Sequence, residues 1–394
     1  MAAQRSIPQV KISPRGAARL KSGHVWVYRS DIASGDAIAS GSLVTVADER
    51  GRRLGTALYS SSSQIAIRML SHDSVADLTG LLRERMANAV AYRRRIVRDT
   101  DACRLIFSEA DFLPGLIVDR YGDIVSVQIL TQAMDCNLTR EAVISELARQ
   151  VNPAAIVERV DARVRELETL PPRPSGLLRG TKTSTTFTMN GVQFQFDALE
   201  GQKTGAFLDQ RENYAAAAAY SRGEALDVFC YQGGFALHLA PHCASVTGID
   251  SSRPALEVAD QNAALNRREI EWMEANAFDL LKDYAGSHRL YDIIVIDPPA
   301  FAKTKRDLDS ALRGYKELNL RALKMLRPGG VLVTCSCSYH VGQADFLAML
   351  AAAALDAHRT LRLLEVRGQA KDHPVLLNVP ETSYLKCVIA SVSV

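Results

Sequence analysis

The sequence lacks any segment that would place it in or across a membrane. Its 394 residues contain no run of about 18 apolar positions, the length that a bilayer-spanning helix needs. The N-terminal stretch MAAQRSIPQVKISPRG has no apolar core of a secretory signal peptide. These absences predict a cytoplasmic protein without membrane contact. The composition, with 47% hydrophobic and 23% charged residues, is typical of a soluble globular protein, and the length predicts two or three domains.

Cysteines are few, and their spacing excludes two common uses. The seven cysteines lie at positions 103, 136, 230, 243, 335, 337 and 387. An odd number without an export signal argues against a disulfide framework, so we expect free thiols. A structural zinc site needs four ligands, and Cys335 and Cys337 are accompanied by neither a second close pair nor a His-x-x-x-His pair. No metal site is predicted.

The net charge of +3 conceals an asymmetry along the chain. Residues 1–100 contain 16 Lys and Arg against 8 Asp and Glu, a net charge of +8. Because the whole chain has a net charge of +3, residues 101–394 have a net charge of −5. A basic segment is typical of contact with a polyanion, although charge alone favours a solvated basic surface equally. Arg93, Arg94 and Arg95 are interpreted as a solvated face of a helix.

Apolar patterning divides the chain into three predicted domains. Residues 8–70 alternate short apolar runs with turn residues, which is typical of a small mostly-β module. Residues 75–97 have the apolar period of a helix. Strand-like segments and one further helix follow, with a Pro-rich loop at 170–176, and predict a central α+β domain. The predicted limits are 1–75, 76–200 and 201–394.

The third domain is predicted to be α/β. Continuous apolar strands are expected at residues 225–230, 245–250, 291–297 and 329–336, with helical segments between them. This alternation is typical of a parallel, doubly wound, Rossmann-like sheet. The tail adds two strand candidates, TLRLLEVRG and SYLKCVIASV, without a helix between them, which predicts an antiparallel closing pair.

Acidic residues mark the ends of the first three predicted strands of this sheet. Asp227 ends the first strand, Asp250 ends the second, and Asp279 in ANAFDLL is placed where a third would end. Gly233 lets a ligand approach the backbone closely, and an acid at the second strand end suits a ribose diol. The full GxGxxG fingerprint is missing, which disfavours NAD or FAD. S-adenosyl-L-methionine (SAM) suits these residues better, because it has no phosphate and carries a cationic end. Further predicted cofactor contacts are Tyr231 and Ser251.

The fourth predicted strand ends in IDPPAFAK. Pro298 and Pro299 end the strand and present Asp297 and Phe301 at the carboxyl edge of the sheet, where ligands bind in such folds. An acid and an aromatic ring there can hydrogen-bond and stack a base extruded from a nucleic acid. Lys303, in the same loop, is a further candidate for substrate contact.

The segment VTCSCSYH follows the fifth strand, on the same edge of the sheet. Cys335 lies inside the strand and is predicted to be buried filler, whereas Cys337 lies past the strand end. A thiolate that adds to C6 of cytosine or uracil makes C5 nucleophilic, and loss of the C5 proton after methylation expels the thiolate. This use requires a thiol pKa below the free value of about 8.5. Asp297 would support N3 or N4 of the base.

Longer segments make the sequence similar to a known family. They are GHVWVYRSDI, GRRLGTALYSSSSQIAIRML, DFLPGLIVDRYGD, GQKTGAFLDQREN, DVFCYQGGFALHLA, DPPAFAK, RGYKELNLRAL and CSCS. Together they resemble, over nearly the whole length, the bacterial large-subunit (23S) ribosomal RNA cytosine-C5 methyltransferases that carry an N-terminal PUA domain.

The resemblance implies a SAM-dependent enzyme that forms 5-methylcytosine in large-subunit ribosomal RNA, with the basic front end as an RNA-binding module. It implies that Cys337 is the nucleophile and that residues 201–211 close over the cofactor, with Gln210 and Arg211 as contacts. SAM or base contacts are implied for Asp227, Asp250, Asp279 and Asp297. The RNA is expected in a naked or early-assembly state, and a homodimer is left open.

The sequence departs from the family pattern at two kinds of position. Ala206 and Ala300 stand where bulkier or charged residues are common, which concerns substrate preference. Many RNA cytosine-C5 enzymes also have a second cysteine in the loop equivalent to DPP, whereas this loop has none, so another base would remove the C5 proton.

Two other functions stay open. An RNA exocyclic-amine or ring-nitrogen methyltransferase would also use an acid, two prolines and an aromatic, but it would not need Cys337. A non-catalytic RNA-binding assembly factor would keep the fold without binding SAM.

Overall fold

The computed structural model describes residues 7–35, 38–199, 206–287, 289–302 and 304–393. These residues form two compact units. The first falls within Met1–Thr185, Asp197–Gly205 and Asp372–Thr382, and the second within Thr186–Phe196, Ala206–Lys371 and Ser383–Val394. Across the described ranges, no helix combines the length and apolar character needed to cross a membrane.

The first unit begins with a six-stranded sheet, as predicted for residues 8–70. Its elements are β1 (Gln9–Ile12), α1 (Pro14–Lys21), β2 (Trp26–Tyr28), β3 (Ile32–Gly35), β4 (Leu43–Asp48), β5 (Arg53–Tyr59) and β6 (Ile65–Ser71). The strand order is β2-β6-β5-β4-β1-β3, with β1 parallel to β4 and the other pairs antiparallel. Alternate residues such as Val10, Ile12, Val44 and Val46 point into one core, as the two-residue period of a half-buried strand requires.

A second, five-stranded sheet follows in the same unit. Its elements are α2 (Leu78–Ile96), β7 (Ala102–Phe107), β8 (Leu116–Tyr121), β9 (Ile124–Ile129), α3 (Asn137–Val151), β10 (Ala155–Glu158), α4 (Ala162–Leu167) and β11 (Gly176–Gly180). The strand order is β11-β10-β9-β8-β7. Helix α2 begins after Asp77, whose carboxylate accepts a hydrogen bond from the Gly80 N–H at 3.0 Å. The α+β character predicted for this region is confirmed.

Arg93 corrects the interpretation of a solvated arginine face. It follows Met86, Ala89 and Val90 at helical spacing on the buried stripe of α2, and its side chain is buried with them. The guanidinium pairs with Asp111 and donates to backbone carbonyls, so the buried charge is neutralised. The next two arginines of the helix are exposed, as predicted.

The remaining elements lie almost entirely in the second unit. They are β12 (Ser184–Met189), β13 (Val192–Asp197), α5 (Arg211–Ala219), β14 (Glu224–Val228), α6 (Gly234–Leu239), β15 (Ser245–Asp250), α7 (Arg253–Leu265), β16 (Glu271–Glu274), α8 (Ala277–Gly286), β17 (Tyr291–Ile296), α9 (Leu308–Met325), β18 (Leu326–Ser336), α10 (Gln343–Asp356), β19 (Thr360–Arg367) and β20 (Lys386–Ser393). Strands β12 and β13 pair with each other. The other seven form one sheet in the order β16-β15-β14-β17-β18-β20-β19.

The large sheet has the predicted doubly wound, Rossmann-like pattern. Strands β14 to β18 are parallel, and β20 runs antiparallel to both β18 and β19, so the predicted antiparallel closing pair is confirmed. Apolar side chains of the strands and of α8, α9 and α10 share one buried core, including Leu226, Ile294, Leu332, Tyr315 and Phe346. The domain limits at residues 75 and 200 stay a prediction.

Candidate active site

The parallel strands bring four predicted site residues to one edge of the large sheet. Asp227 and Asp250 lie at the carboxyl ends of β14 and β15, Asp297 directly follows β17, and Cys337 directly follows β18. From β14 the chain proceeds outward to β15 and β16, then returns to place β17 on the other side of β14. A crevice at such a reversal is the usual ligand site of open α/β sheets.

The turn between β14 and α6 has an unusual backbone. Phe229, Tyr231 and Gly233 all have positive φ, at 66°, 50° and 84°, which is costly for the two residues that have a side chain. A Cβ on Gly233 would lie 2.9 Å from the ring of Trp272, so only glycine fits without displacement. The Tyr231 N–H donates to the Asp250 carboxylate at 2.9 Å, which ties the turn to the next strand.

Asp227 is a fully buried carboxyl group. Its Oδ2 accepts a hydrogen bond from the Ala236 N–H at 2.8 Å, whereas its Oδ1 has no hydrogen-bond partner among the described residues. Burial raises the pKa of Asp227 from 3.8 to about 8, and the negative charges of Asp297 and Asp250 act in the same direction. A buried acid with an unused oxygen is suited to meet a cationic or hydrogen-bond-donating ligand.

Asp250 is held by backbone donors on both sides. Its carboxylate accepts from the N–H of Tyr231 and from the N–H of Ser252, each at 2.9 Å. Ser251, between Asp250 and Ser252 in the chain, is exposed at the sheet edge. The fixed orientation of Asp250 is what the grip on a vicinal diol requires, and the contacts of Ser251 stay a prediction.

The structure corrects the position of Asp279. Strand β16 ends at Glu274, and Asp279 lies in the first turn of α8 rather than at a strand end. The side chain of Asn276 caps this helix by accepting from the backbone N–H groups of Phe278 and Asp279, at 2.9 and 3.4 Å. Because Asn276 caps the helix only two residues after β16 ends, Asn276 and not Asp279 lies next to the end of the strand.

Gln210 and Arg211 lie at the start of α5, and both side chains are buried. Gln210 Nε2 donates to Asp297 Oδ2 at 2.9 Å, and Gln210 Oε1 accepts from Asn213 at 2.6 Å, so the amide fixes the orientation of the Asp297 carboxylate. The backbone carbonyl of Arg211 accepts from Asn190 at 2.8 Å. In the predicted closing segment 201–211, residues 201–205 lie outside the described residues.

The DPP loop follows Asp297. Pro298 is buried and Pro299 is exposed. The ring of Phe301 packs at 4.7 Å from that of Tyr315, so part of its surface belongs to the core, and stacking on a base stays a prediction. Lys303 lies outside the described residues.

The two neighbouring cysteines have different surroundings. Cys335 is fully buried in β18, opposite Cys387 of β20, and burial raises the pKa of its thiol well above the ordinary value, which supports the prediction of an inert core residue. Cys337 is only half-buried and lies just past the strand end. Its Sγ is 3.9 Å from the Pro298 carbonyl oxygen, so the structure brings the cysteine and the DPP loop together.

Two polar side chains beside Cys337 were missed by the sequence reasoning. Lys386, the first residue of β20, donates from Nζ to the Ser338 carbonyl at 2.6 Å. The hydroxyl of Tyr315 lies 2.9 Å from the Ser338 Oγ. The sequence marked the segment of Lys386 only as a strand, and it marked RGYKELNLRAL, which contains Tyr315, only by its resemblance to the family. The one available signal was a lysine at the start of an otherwise apolar strand.

Comparison with known proteins agrees with the fold. A family profile described as a PUA-like domain matches residues 10–72, and a profile described as an S-adenosylmethionine-dependent methyltransferase matches residues 170–382. The ribosomal RNA large subunit methyltransferase I of Shewanella denitrificans is 36% identical, over 98% of this chain and 99% of that protein. The protein of the same name from Alteromonas mediterranea is 34% identical over the same shares.

Solved structures show a similar fold. A candidate SAM-dependent methyltransferase from Streptococcus mutans superposes with a TM-score of 0.82 at 19% identity, covering 97% of this chain and 99% of that chain. A candidate methyltransferase crystallised with SAH gives a TM-score of 0.84 at 20% identity, with the same coverage.

Proposed function

This chain belongs to the family of S-adenosylmethionine-dependent methyltransferases that includes the ribosomal RNA large subunit methyltransferases I, and we propose that it methylates C5 of a cytosine in large-subunit ribosomal RNA. The substrate class rests on the names of relatives that match the chain from end to end. The position on the base rests on the surroundings of Cys337.

The residues at the sheet edge fit SAM. The unused, buried Oδ1 of Asp227 suits the cationic methionine end, and Gly233, with its positive φ and its contact with Trp272, fixes the turn beside that acid. Asp250, with Ser251 beside it, suits the ribose hydroxyls, and Asn276 lies where the adenine would be met. Tyr231, Gln210 and Arg211 complete the proposed contacts. When bound, SAM supplies the electrophilic methyl group.

The residues that face the base divide the chemistry between them. The Cys337 thiolate forms a bond to C6 of the cytosine, and the electron pair of the C5–C6 double bond moves so that C5 becomes nucleophilic. Asp297, oriented by Gln210, supports N3 or N4 of the base while charge moves into the ring. After C5 has taken the methyl group, a base removes the C5 proton, the double bond re-forms, and the C6–sulfur bond breaks to return the thiolate.

The single observation that carries this proposal is the position of Cys337. Its sulfur lies beside the DPP loop, on the edge that also holds the buried acid Asp227 and the turn at Gly233. A nitrogen methyltransferase would need no thiol at this point, because a base nitrogen has its own lone pair. The candidate contacts of Pro298, Pro299, Phe301 and Lys303 with the base are part of the proposal.

RNA binding by the N-terminal sheet is proposed from the match to a PUA-like domain. The charge balance overstates the cations available to phosphates, because Arg15 and Arg19 both bind Asp31, and Arg52 binds Asp48. Exposed cations such as Arg50 and Lys21 would supply phosphate contacts and a dependence on salt. Naked or early-assembly RNA as the substrate state, and a homodimer, remain predictions.

The test uses large-subunit ribosomal RNA carrying tritium at cytosine C5, incubated with SAM and the wild-type protein, Cys337→Ala or the matched control Cys335→Ala. We expect tritium release from the wild type and from Cys335→Ala, since Cys335 is a core residue, and none from Cys337→Ala. SAM binding by all three proteins, measured by calorimetry, checks that they are folded.

Two outcomes would contradict the proposal. Methyl incorporation without tritium release would mean that another atom of the base, such as a ring nitrogen, accepts the methyl group. Equal tritium release by Cys337→Ala and wild type would keep the C5 product but remove the covalent mechanism.

A further inference from the structure

We propose that Lys386 is a positioning residue that holds the Cys337 thiol in its reactive thiolate form. The inference deepens the proposed function and rests on it, since it gives the nucleophile of that reaction its activating partner.

Lys386 is anchored at the turn that carries Cys337. It is the first residue of β20 and pairs directly with Ser336, the last residue of β18. Its Nζ donates to the Ser338 carbonyl at 2.6 Å and to the Tyr384 carbonyl at 2.9 Å. Because Ser338 immediately follows Cys337, these bonds place the ammonium group beside the nucleophile. The side chain is largely buried, so water screens its charge little.

The ammonium group has no fixed counter-ion in the described part of the chain. Both of its hydrogen-bond acceptors are neutral carbonyls, and no carboxylate there forms an ion pair with it. Burial lowers the pKa of Lys386 to about 8, while negative charge on Cys337 acts in the opposite direction and favours the ammonium form. The attraction is mutual, so the ammonium group favours the thiolate.

Among the other titratable groups that the structure describes near this pair, His340 is the one that can carry a positive charge, and it is only half-buried. Those contributed by the neighbouring strands, helix and loops are Cys335, Cys387, Tyr315, Asp297, Asp209, Tyr339 and His340. Burial raises the pKa of Tyr315, so its hydroxyl stays neutral at physiological pH. The Asp297 carboxylate accepts from Gln210, and Asp209 accepts from the Tyr384 hydroxyl at 2.7 Å. Lys386 is therefore the buried cation of this set.

The charge of Lys386 would act twice in the reaction. On ionisation the Cys337 proton passes to solvent, and the sulfur keeps the electron pair that attacks C6. When the C6–sulfur bond breaks, the sulfur regains negative charge beside the same ammonium group. Lys386 would thus favour both the addition and the expulsion of Cys337.

The test measures the pH dependence of Cys337 alkylation by iodoacetamide, with fragment-ion mass spectrometry to separate it from Cys335. We expect the wild-type midpoint to lie below that of N-acetylcysteine. An adjacent opposite charge moves a pKa by about 1 to 3 units, so Lys386→Met should raise the midpoint by at least about one unit and slow alkylation at pH 7 about tenfold. Lys386→Arg should restore the low midpoint.

Two controls separate electrostatics from loss of structure. Lys324→Met removes the charge of an exposed lysine in α9 and should leave the midpoint unchanged. Protection of the buried thiols Cys335 and Cys387 reports that β18 and β20 remain paired in each variant. If Lys386→Met exposes these thiols, the test relies on the wild-type protein alone. The pH midpoint of Cys337 alkylation in the wild type must then lie below that of N-acetylcysteine for the inference to stand.

Two results would overturn the inference. The first is a wild-type Cys337 midpoint at or above that of N-acetylcysteine. The second is an unchanged midpoint in Lys386→Met with Cys335 and Cys387 protected, because Lys386 would then only tie the turn together. The assay contains neither RNA nor SAM, so a failed tritium experiment leaves it unaffected, and its own failure leaves C5 methylation standing.

Discussion

Asp227→Asn should stabilise the cofactor-free protein, and the gain should grow with pH. The wild-type carboxyl is fully buried, and burial raises its pKa to about 8. Between pH 4 and pH 8 the unfolded chain releases this proton while the native protein keeps it, so wild-type stability falls as pH rises through that window. Above about pH 8 both states are ionised and the cost is constant. An asparagine has no proton to release, so the variant lacks this dependence.

The expected gain in the free energy of unfolding follows from the raised pKa of Asp227. A rise from 3.8 to about 8, at about 1.4 kcal/mol per unit, costs the wild type roughly 5 to 6 kcal/mol at pH 8. The asparagine oxygen can still accept from Ala236, but its NH₂ group takes the place of an unpartnered oxygen, which costs about 1 to 3 kcal/mol. The net gain is therefore about 3 kcal/mol at pH 8 and close to zero near pH 5.

Urea unfolding can be followed separately for the second compact unit, which contains Asp227. The chain has two tryptophans, Trp26 and Trp272, and in a Trp26→Phe background the fluorescence reports the unit that contains Asp227. The free energy of unfolding of Asp227→Asn minus that of wild type should rise by about 1.4 kcal/mol per pH unit between pH 5 and 8. The same variant should bind SAM more weakly, since the cationic end loses its acid. A difference that is flat with pH, or a variant less stable at pH 8, would refute the reasoning.

Two further substitutions test the cofactor side of the site. Gly233→Ala places a Cβ 2.9 Å from the Trp272 ring at a φ of 84°, so the turn beside Asp227 must shift and SAM affinity measured by calorimetry should fall at least about tenfold. Gly286→Ala, where nothing lies within 4 Å, should bind normally, and equal affinities of the two variants would contradict a role of this turn in the cofactor site. Asn276→Ala should weaken SAM binding and cost about 1 kcal/mol of stability by removing a helix cap, while Asp279→Ala should leave affinity nearly unchanged. A larger loss of affinity in Asp279→Ala than in Asn276→Ala would make Asp279 the SAM contact instead.

Two predictions from the sequence are wrong, one at a turn between a strand and a helix and one on the buried face of a helix. The sequence predicts a strand end at Asp279, whereas the third strand is short, ends at Glu274 and is followed by α8, which Asn276 caps. A run of three arginines predicts a polar, solvated face, and this prediction is wrong for Arg93. Its position on the buried stripe of α2 depends on which side of that helix meets the sheet, and composition does not give this.

The α/β alternation, the parallel strands and the position of Asp227, Asp250, Asp297 and Cys337 at one edge of the sheet could all be predicted from the sequence. Apolar runs record strand burial, and parallel strands must all present their carboxyl ends on the same side. The pairing of Cys335 with Cys387 and the position of Lys386 next to Cys337 are visible only in the folded structure. That pairing joins residues far apart in the chain through the register of two antiparallel strands, and no local pattern encodes such a register.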